Sequence, residues 1–279
     1  MSEVNISAAD VKNLREQTGA GMMDCKKALA EANGDFEKAI EILRLQGQKL
    51  SLKRADRDAK EGVVIALVNA DQTKGIVVRV SCETDFVAKN EDFVNFTRSI
   101  ANIALANFPA DKDALLALPY DGTLSVADKL TEQVGVIGEK IELAEYGRIE
   151  APMVTSYIHM GNRAGVIVGL NKANASFVDA GKDVAMQIAA MKPIAVDESG
   201  VSKDVIEKEI EIGKELARQE GKAEEMLEKI ALGKLNKFYK ENTLLPQTFV
   251  KDSKLTVADY LKGFDKELTV TDFKHIKLG

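Results

Sequence analysis

The sequence is poor in the side chains that usually bind metals or attack substrates. Its 279 residues hold two histidines and two cysteines. His159, His275, Cys25 and Cys82 could in total supply four zinc ligands, but none of the paired C-x₂-C or H-x₃-H spacing of chelating sites is present. The cysteines lie far apart, each among apolar residues, which suits reduced thiols rather than a disulfide scaffold. No G-x-x-x-x-G-K-[ST] stretch occurs, so a nucleoside triphosphate is not held by that route. Gly19-Ala20-Gly21 sits between two helical patterns and follows no strand. It therefore reads as a tight interhelical turn and not as a dinucleotide fingerprint. A G-x-S-x-G nucleophile turn is missing as well. These absences predict a chain that is not an enzyme, with no catalytic residues, no metal and no cofactor of its own.

Positive charge is not in surplus either. The net charge of −6 makes nucleic acid a poor first partner, because phosphate recognition calls for a basic face. No apolar run approaches the roughly eighteen residues of a membrane span, and Met1-Ser2-Glu3-Val4-Asn5 lacks the basic and apolar regions of a leader. The expectation is a cytoplasmic chain that touches neither membrane nor nucleic acid. What remains is ordinary globular material, 45% hydrophobic and 29% charged, which is too rich in core formers for disorder.

The first fifty residues read as three short helices. Ser7 and Asp10 have capping-box spacing, and Val11, Leu14 and Thr18 follow on one face. A second helix starts near Met23 and stops at Asn33-Gly34. Asp35 caps a third, which carries Phe36, Ala39, Ile40 and Leu43 and is expected to close at Gly47. Residues 48–61 are mostly charged, with alternating signs, and suit a tether or an exposed helix.

Strand signals begin at Gly62. Two β-branched runs, 63–68 and 76–80, flank a polar loop as a hairpin should. Helices are predicted near 91–106 and 125–138. The plan then recurs: runs at 153–159 and 166–170 make a second hairpin, Ser176-Phe177-Val178 echoes Asp85-Phe86-Val87, and a helix carries Val184, Ile188 and Met191. Hairpin, Phe-Val loop and helix, twice over, indicate an internal duplication. Between 202 and 238 a narrow apolar seam on each side of Gly221 predicts an antiparallel helical hairpin. A short helix near 257–261 and a strand near 269–276 end the chain. The fold class is α+β, divided at 1–50, a linker 51–61, and core subdomains 62–140 and 141–279, the hairpin of 202–238 being inserted in the second.

Two stretches carry a family resemblance. One is Leu14-Arg15-Glu16-Gln17-Thr18-Gly19-Ala20-Gly21-Met22-Met23-Asp24-Cys25-Lys26-Lys27-Ala28-Leu29, and the other is Glu83-Thr84-Asp85-Phe86-Val87-Ala88-Lys89-Asn90. The first resembles the N-terminal, ubiquitin-associated-type (UBA-like) domain of the elongation factor Ts family, and the second resembles the signature of that family's core. Order and spacing agree across almost the whole chain, including the hairpin after Ser202, read as a coiled coil, and the Lys234-Leu235-Asn236-Lys237-Phe238 segment that ends it.

The resemblance implies a guanine-nucleotide exchange factor. It would bind the GTPase elongation factor Tu, loosen its Mg²⁺ and GDP, and stabilise the empty form until GTP enters. In the family an Asp-Phe pair reaches toward the partner's magnesium site, which here matches Asp85 and Phe86 flanked by Thr84 and Val87. The N-terminal contacts match Val11, Leu14, Met22 and Met23, and a loop carrying Ile-Gly matches Ile137 and Gly138. Many members place a histidine as a further contact where this chain has Gln187, so a charge-switching role is excluded there. Some members extend past the last strand, whereas this sequence ends at Gly279, and contacts from such a module are expected to be missing or supplied elsewhere. Self-association through the hairpin is compatible with the pattern.

Physical chemistry bears on two of these sites independently. A Phe between a strand and a helix is as readily a core residue as a wedge. Two adjacent methionines cannot both face inward along one helical stripe, so one or both of Met22 and Met23 should be exposed. A passive interaction module, such as a ribosome-associated scaffold, accounts equally well for the acidic charge and the missing catalytic groups. What separates it from an exchange factor is whether the partner's nucleotide affinity changes on binding.

Overall fold

The computed structural model describes residues 6–279 and is mixed α+β. Met1–Asn5, read above for the absence of a leader, lies outside the described residues. Among those described, no helix is long and apolar enough to cross a membrane. The chain divides into two compact units: Met1–Ile65 with Val78–Gly147 and Ile276–Gly279, and Ala66–Val77 with Arg148–His275.

The first unit opens with helices α1 (Ala8–Thr18), α2 (Met22–Glu31) and α3 (Phe36–Arg54). The Ser7–Asp10 capping box forms as the sequence predicts, the Ser7 hydroxyl accepting the Asp10 N–H at 3.1 Å. Gly19 takes φ 70° at the end of α1, and Asp35 caps α3. A small core of Val11, Leu14, Cys25, Ala28, Leu29 and Ala39 joins the three helices. One expectation fails here, because α3 does not close at Gly47 but runs on to Arg54 through the charged stretch. The reason is tertiary. Gly47 is buried against helix α7 (Val126–Ile137), where a Cβ added at Gly135 would lie 3.0 Å from the Gly47 Cα. Two facing glycines let the backbones of α3 and α7 meet, and that contact outweighs the helix-breaking tendency of glycine, about 1 kcal/mol.

Strands β1 (Glu61–Val68), β2 (Lys74–Cys82) and β3 (Glu142–Glu150) form a sheet in that order. Between β2 and β3 lie α4 (Asp85–Lys89), α5 (Glu91–Asn107), α6 (Lys112–Leu116) and α7. Helix α5 buries Phe93, Phe96, Ile100, Ala101 and Ala104, one stripe at helical spacing.

In the second unit β4 (Met153–His159) pairs antiparallel with β5 (Ala164–Leu170), in register from Met153 opposite Leu170 to His159 opposite Ala164. Strand β8 (Val270–Lys277) completes the order β4-β5-β8. Helix α8 (Val178–Met191) packs Ala180, Val184, Ala185 and Ile188 on Val166, Val168 and Leu170, with Phe177 in the same core. Helices α9 (Lys203–Gln219) and α10 (Glu224–Asn242) form the antiparallel hairpin, with a seam through Gly213, Ala217, Leu227, Ala231 and Leu235. Short strands β6 (Thr248–Phe249) and β7 (Asp252–Thr256) precede α11 (Val257–Lys262).

The same substitution has opposite consequences at two helical glycines. Gly135→Ala forces a methyl against the α3 backbone, an overpacking cost of about 1–3 kcal/mol that exceeds the gain in helix propensity. Gly233, exposed on α10, has open space around it, so Gly233→Ala should stabilise by up to about 1 kcal/mol. Urea unfolding of the two variants beside the parent should shift the midpoint down for the first and up for the second.

Candidate partner-binding site

The Glu83–Asn90 segment folds as a loop and one capped turn of helix. Thr84 adopts an extended backbone, and its hydroxyl accepts the Val87 N–H, so α4 begins at Asp85. Asn90 ends that helix and its side chain caps α5, accepting the Asp92 N–H at 2.9 Å. Helix α4 buries none of its residues. Phe86 is 83% exposed, the highest value among the large hydrophobic side chains of the described residues. Beside it Asp85 accepts a 2.6 Å bond from the Lys89 ammonium, which holds its carboxyl below the usual range.

Two carboxylates fix the turn that carries Phe86. Glu139 Oε2 accepts the N–H groups of Glu83 and Thr84 at 3.1 and 3.0 Å, while its Oε1 accepts the Thr84 hydroxyl at 2.6 Å. Glu83 in turn accepts the Lys140 N–H at 2.7 Å, so the two segments exchange backbone partners through their acids. Arg54 and Arg57, at and just beyond the end of α3, donate to the Glu83 carboxylate at 2.7 and 3.1 Å. The Lys140 ammonium donates to the carbonyls of Ala55 and Arg57. Gly138 makes the exchange reachable: it ends α7 in the left-handed region, φ 81°, and turns the chain so that Glu139 follows the helix directly. Ile137 and Gly138 are half-buried and are joined to the Phe86 turn through Glu139.

Beneath the turn lies Cys82, buried, its thiol donating to the Thr84 carbonyl at 3.2 Å. Burial, together with the charges of Glu139 and Glu61, pushes this thiol up to about 12, which makes it a poor nucleophile near neutral pH. Among the described residues, no group of three or more His, Cys, Asp or Glu side chains could hold a metal ion.

The other residues singled out from the sequence fall in different settings. Met22 and Met23 are both exposed, 57% and 63%, at the start of α2. Val11 and Leu14 are core residues of the three-helix bundle, Leu14 fully buried, so they seat the helices rather than offer a surface. Gln187 is also fully buried. Its amide N–H groups donate to Gln247 and the Thr248 carbonyl, and its oxygen accepts the Val250 N–H at 2.8 Å. A side chain so enclosed acts on a partner only through the 247–250 segment it holds. The residues that sequence reasoning missed are Glu83 as an acceptor, Glu139, Arg54 and Arg57. The signal was present in the acidic residue next to each motif, but nothing local shows that the two acids cross over.

Comparison with known proteins places the chain. The family model described as "Elongation factor TS" matches residues 83–279. An elongation factor Ts of Christiangramia forsetii is 55% identical over 274 residues, covering 98% of this chain and 99% of the relative. Those of Flavobacterium psychrophilum and Porphyromonas gingivalis are 52% and 47% identical over 274 and 275 residues, again covering 98% of this chain, and 99% and 98% of the relatives. The chain belongs to the elongation factor Ts family.

The clamp has a pH signature. Burial alone would raise the Glu83 carboxyl, but the Lys140 N–H and the Arg54 and Arg57 guanidinium groups outweigh it and hold the group below its ordinary value of 4.5. A depressed carboxyl stabilises the fold above its ordinary value, and that contribution is lost as pH falls through the folded value. The difference in unfolding midpoint between the parent and Glu83→Gln should therefore be constant from neutrality down to about pH 5 and shrink below it. A difference that stays the same at pH 3 would show that the charge of Glu83 contributes nothing.

Proposed function

We propose that this chain is a guanine-nucleotide exchange factor for elongation factor Tu. On this reading it is not an enzyme. It binds the GDP form of the GTPase, disturbs the partner's Mg²⁺ and phosphate site with Asp85 and Phe86, and stabilises the nucleotide-free form until GTP binds. Family membership supports the partner and the activity. The observation that carries the mechanism is Phe86, a large apolar side chain left 83% exposed on a turn braced by two carboxylates.

Magnitudes set what Phe86 can do. Burying one Phe contributes about 1.5–3 kcal/mol, and each 1.4 kcal/mol is about tenfold in affinity. The wedge alone thus accounts for roughly ten- to a hundredfold. Other contacts must share the rest, and we assign them to Thr84 and Val87 beside the wedge, to Ile137 and Gly138 in the adjoining loop, and to Met22 and Met23. Val11 and Leu14 take part by fixing the helices from which the methionines project, and Gln187 by holding residues 247–250. Mg²⁺ demands near-octahedral coordination, so a small displacement of its ligands weakens it disproportionately. By linkage, whatever this chain does to nucleotide affinity, nucleotide does equally to its own affinity for the partner.

The same reading assigns 1–50 to a UBA-like module, 51–61 to a linker whose first residues continue α3, and 62–140 and 141–279 to the two core subdomains. The α9–α10 hairpin is read as a coiled coil. The setting is the cytoplasm, with a protein partner and no direct contact to nucleic acid or membrane.

Release of a fluorescent GDP analogue from purified elongation factor Tu tests the proposal. The unmodified chain should accelerate release in proportion to its concentration, and Phe86→Ala should lower the maximal rate about tenfold or more while leaving the fold intact. Binding without acceleration would leave a passive scaffold. Full activity of Phe86→Ala would remove the wedge from the mechanism.

A further inference from the structure

Phe86 has no packing of its own to hold it. Its order comes from the turn before it, and that turn is secured by side chains distant in sequence. Some short turns in this chain are closed locally, as where Asn174 accepts the Ser176 N–H and Asp197 the Ser199 N–H. The turn at Thr84 instead receives two carboxylate links from residues 55 to 57 positions away in sequence. Like charges brought this close repel, so the pair persists only because each acid has its own donors: three from the turn on Glu139, and Arg54, Arg57 and the Lys140 N–H on Glu83. Such long-range bracing for a five-residue helix with no buried side chain makes little sense as a means of stabilising that helix. It makes sense if the direction of the exposed side chain matters.

We propose that Glu139 and Glu83 are positioning residues for nucleotide release: they fix the aim of Phe86, and Arg54 at the end of α3, with Arg57 just beyond it, ties that aim to the helix that comes from the N-terminal bundle. This deepens the exchange reading and rests on it. Neither acid needs to touch nucleotide or the partner's metal. Their contribution should appear in the step that follows docking, because a misaimed wedge still docks through the other contacts but displaces the partner's ligands poorly. Misplacement by about 1 Å costs up to a hundredfold where geometry sets the rate.

The experiment follows release of the fluorescent GDP analogue from elongation factor Tu over a range of concentrations of each variant, with folding checked by circular dichroism. Glu139→Ala should lower the maximal rate about tenfold or more while the half-saturating concentration stays within about twofold. Glu139→Gln should recover most of the loss, since an amide oxygen still accepts both N–H groups. In a Phe86→Ala background, Glu139→Ala should cost nothing further, because its effect passes through Phe86. Should Glu139→Ala fail to fold, the double variant Arg54→Ala, Arg57→Ala strips Glu83 of its side-chain donors and is held to the same two criteria. Parent-like rates in a folded variant, or an equal loss with and without Phe86, would overturn the positioning role while leaving exchange intact. Absence of acceleration by the unmodified chain would instead overturn the exchange reading, and positioning with it.

Discussion

The first unit depends on an exchange of backbone donors between two acidic side chains. Glu83 takes the N–H of Lys140, and Glu139 takes those of Glu83 and Thr84. Each bond is charge-assisted and therefore stronger than a neutral one, and each has a buried or half-buried partner that would be costly to leave unpaired. Through Arg54 and Lys140 the same cluster reaches the end of α3 and the carbonyls just beyond it. The end of α3, the Phe86 turn and the end of α7 are thus parts of one hydrogen-bonded junction. Separately, the Gly47–Gly135 contact fixes where α3 crosses α7.

Two Phe-Val segments show how one residue's placement decides between core and surface. Each follows a hairpin and precedes a helix, yet Phe86 is 83% exposed and Phe177 is 6% exposed. The caps explain the difference. Thr84 caps α4, so Phe86 stands two residues after the cap; Asn174 caps the 3₁₀ turn Ala175–Phe177, so Phe177 stands three after. A side chain turns by about 100° per residue in an α-helix and by about 120° in a 3₁₀ turn, so the extra residue swings Phe177 to another side of its segment. That rotation carries Phe177 into the core of the second unit, with Val184 and Leu170, and leaves Phe86 pointing away from its own.

Much of this was legible in the sequence because it is local. The Ser7 cap, the apolar stripe of α5, the β-branched runs of both hairpins and the Gly221 break need only nearest neighbours to be recognised. What was not legible is what tertiary contact decides. Strand β3, Glu-Leu-Ala-Glu-Tyr-Gly-Arg-Ile-Glu, has one β-branched residue and four charges, and it is a strand because β2 pairs with it. Helix α3 passes Gly47 because Gly135 faces it. The family resemblance offered Leu14 and Gln187 as contacts, but the structure encloses both, the first in a small apolar core and the second in a saturated amide network. For the site, Phe86 and the Met22–Met23 pair could be picked out from sequence, but the acids that brace the first could not. Their pairing spans more than fifty residues.

If Phe86 is the wedge proposed above, it has to stay exposed and cannot be ordered by burial, and that constraint accounts for the chemistry around it. Packing, which orders other large side chains here, would hide the group from any partner. Fixing the backbone on either side is the remaining route, and hydrogen bonds suit it because they are directional. Carboxylates are the strongest acceptors available, and long ones reach across between elements. The cost is a like-charge pair, offset by two arginines and a run of N–H groups. Beneath them a small buried cysteine fills the floor without competing, since its thiol stays protonated and donates to the Thr84 carbonyl. On that reading, order without burial lowers the entropy lost when a partner encloses the Phe, so more of its transfer free energy remains for work on that partner.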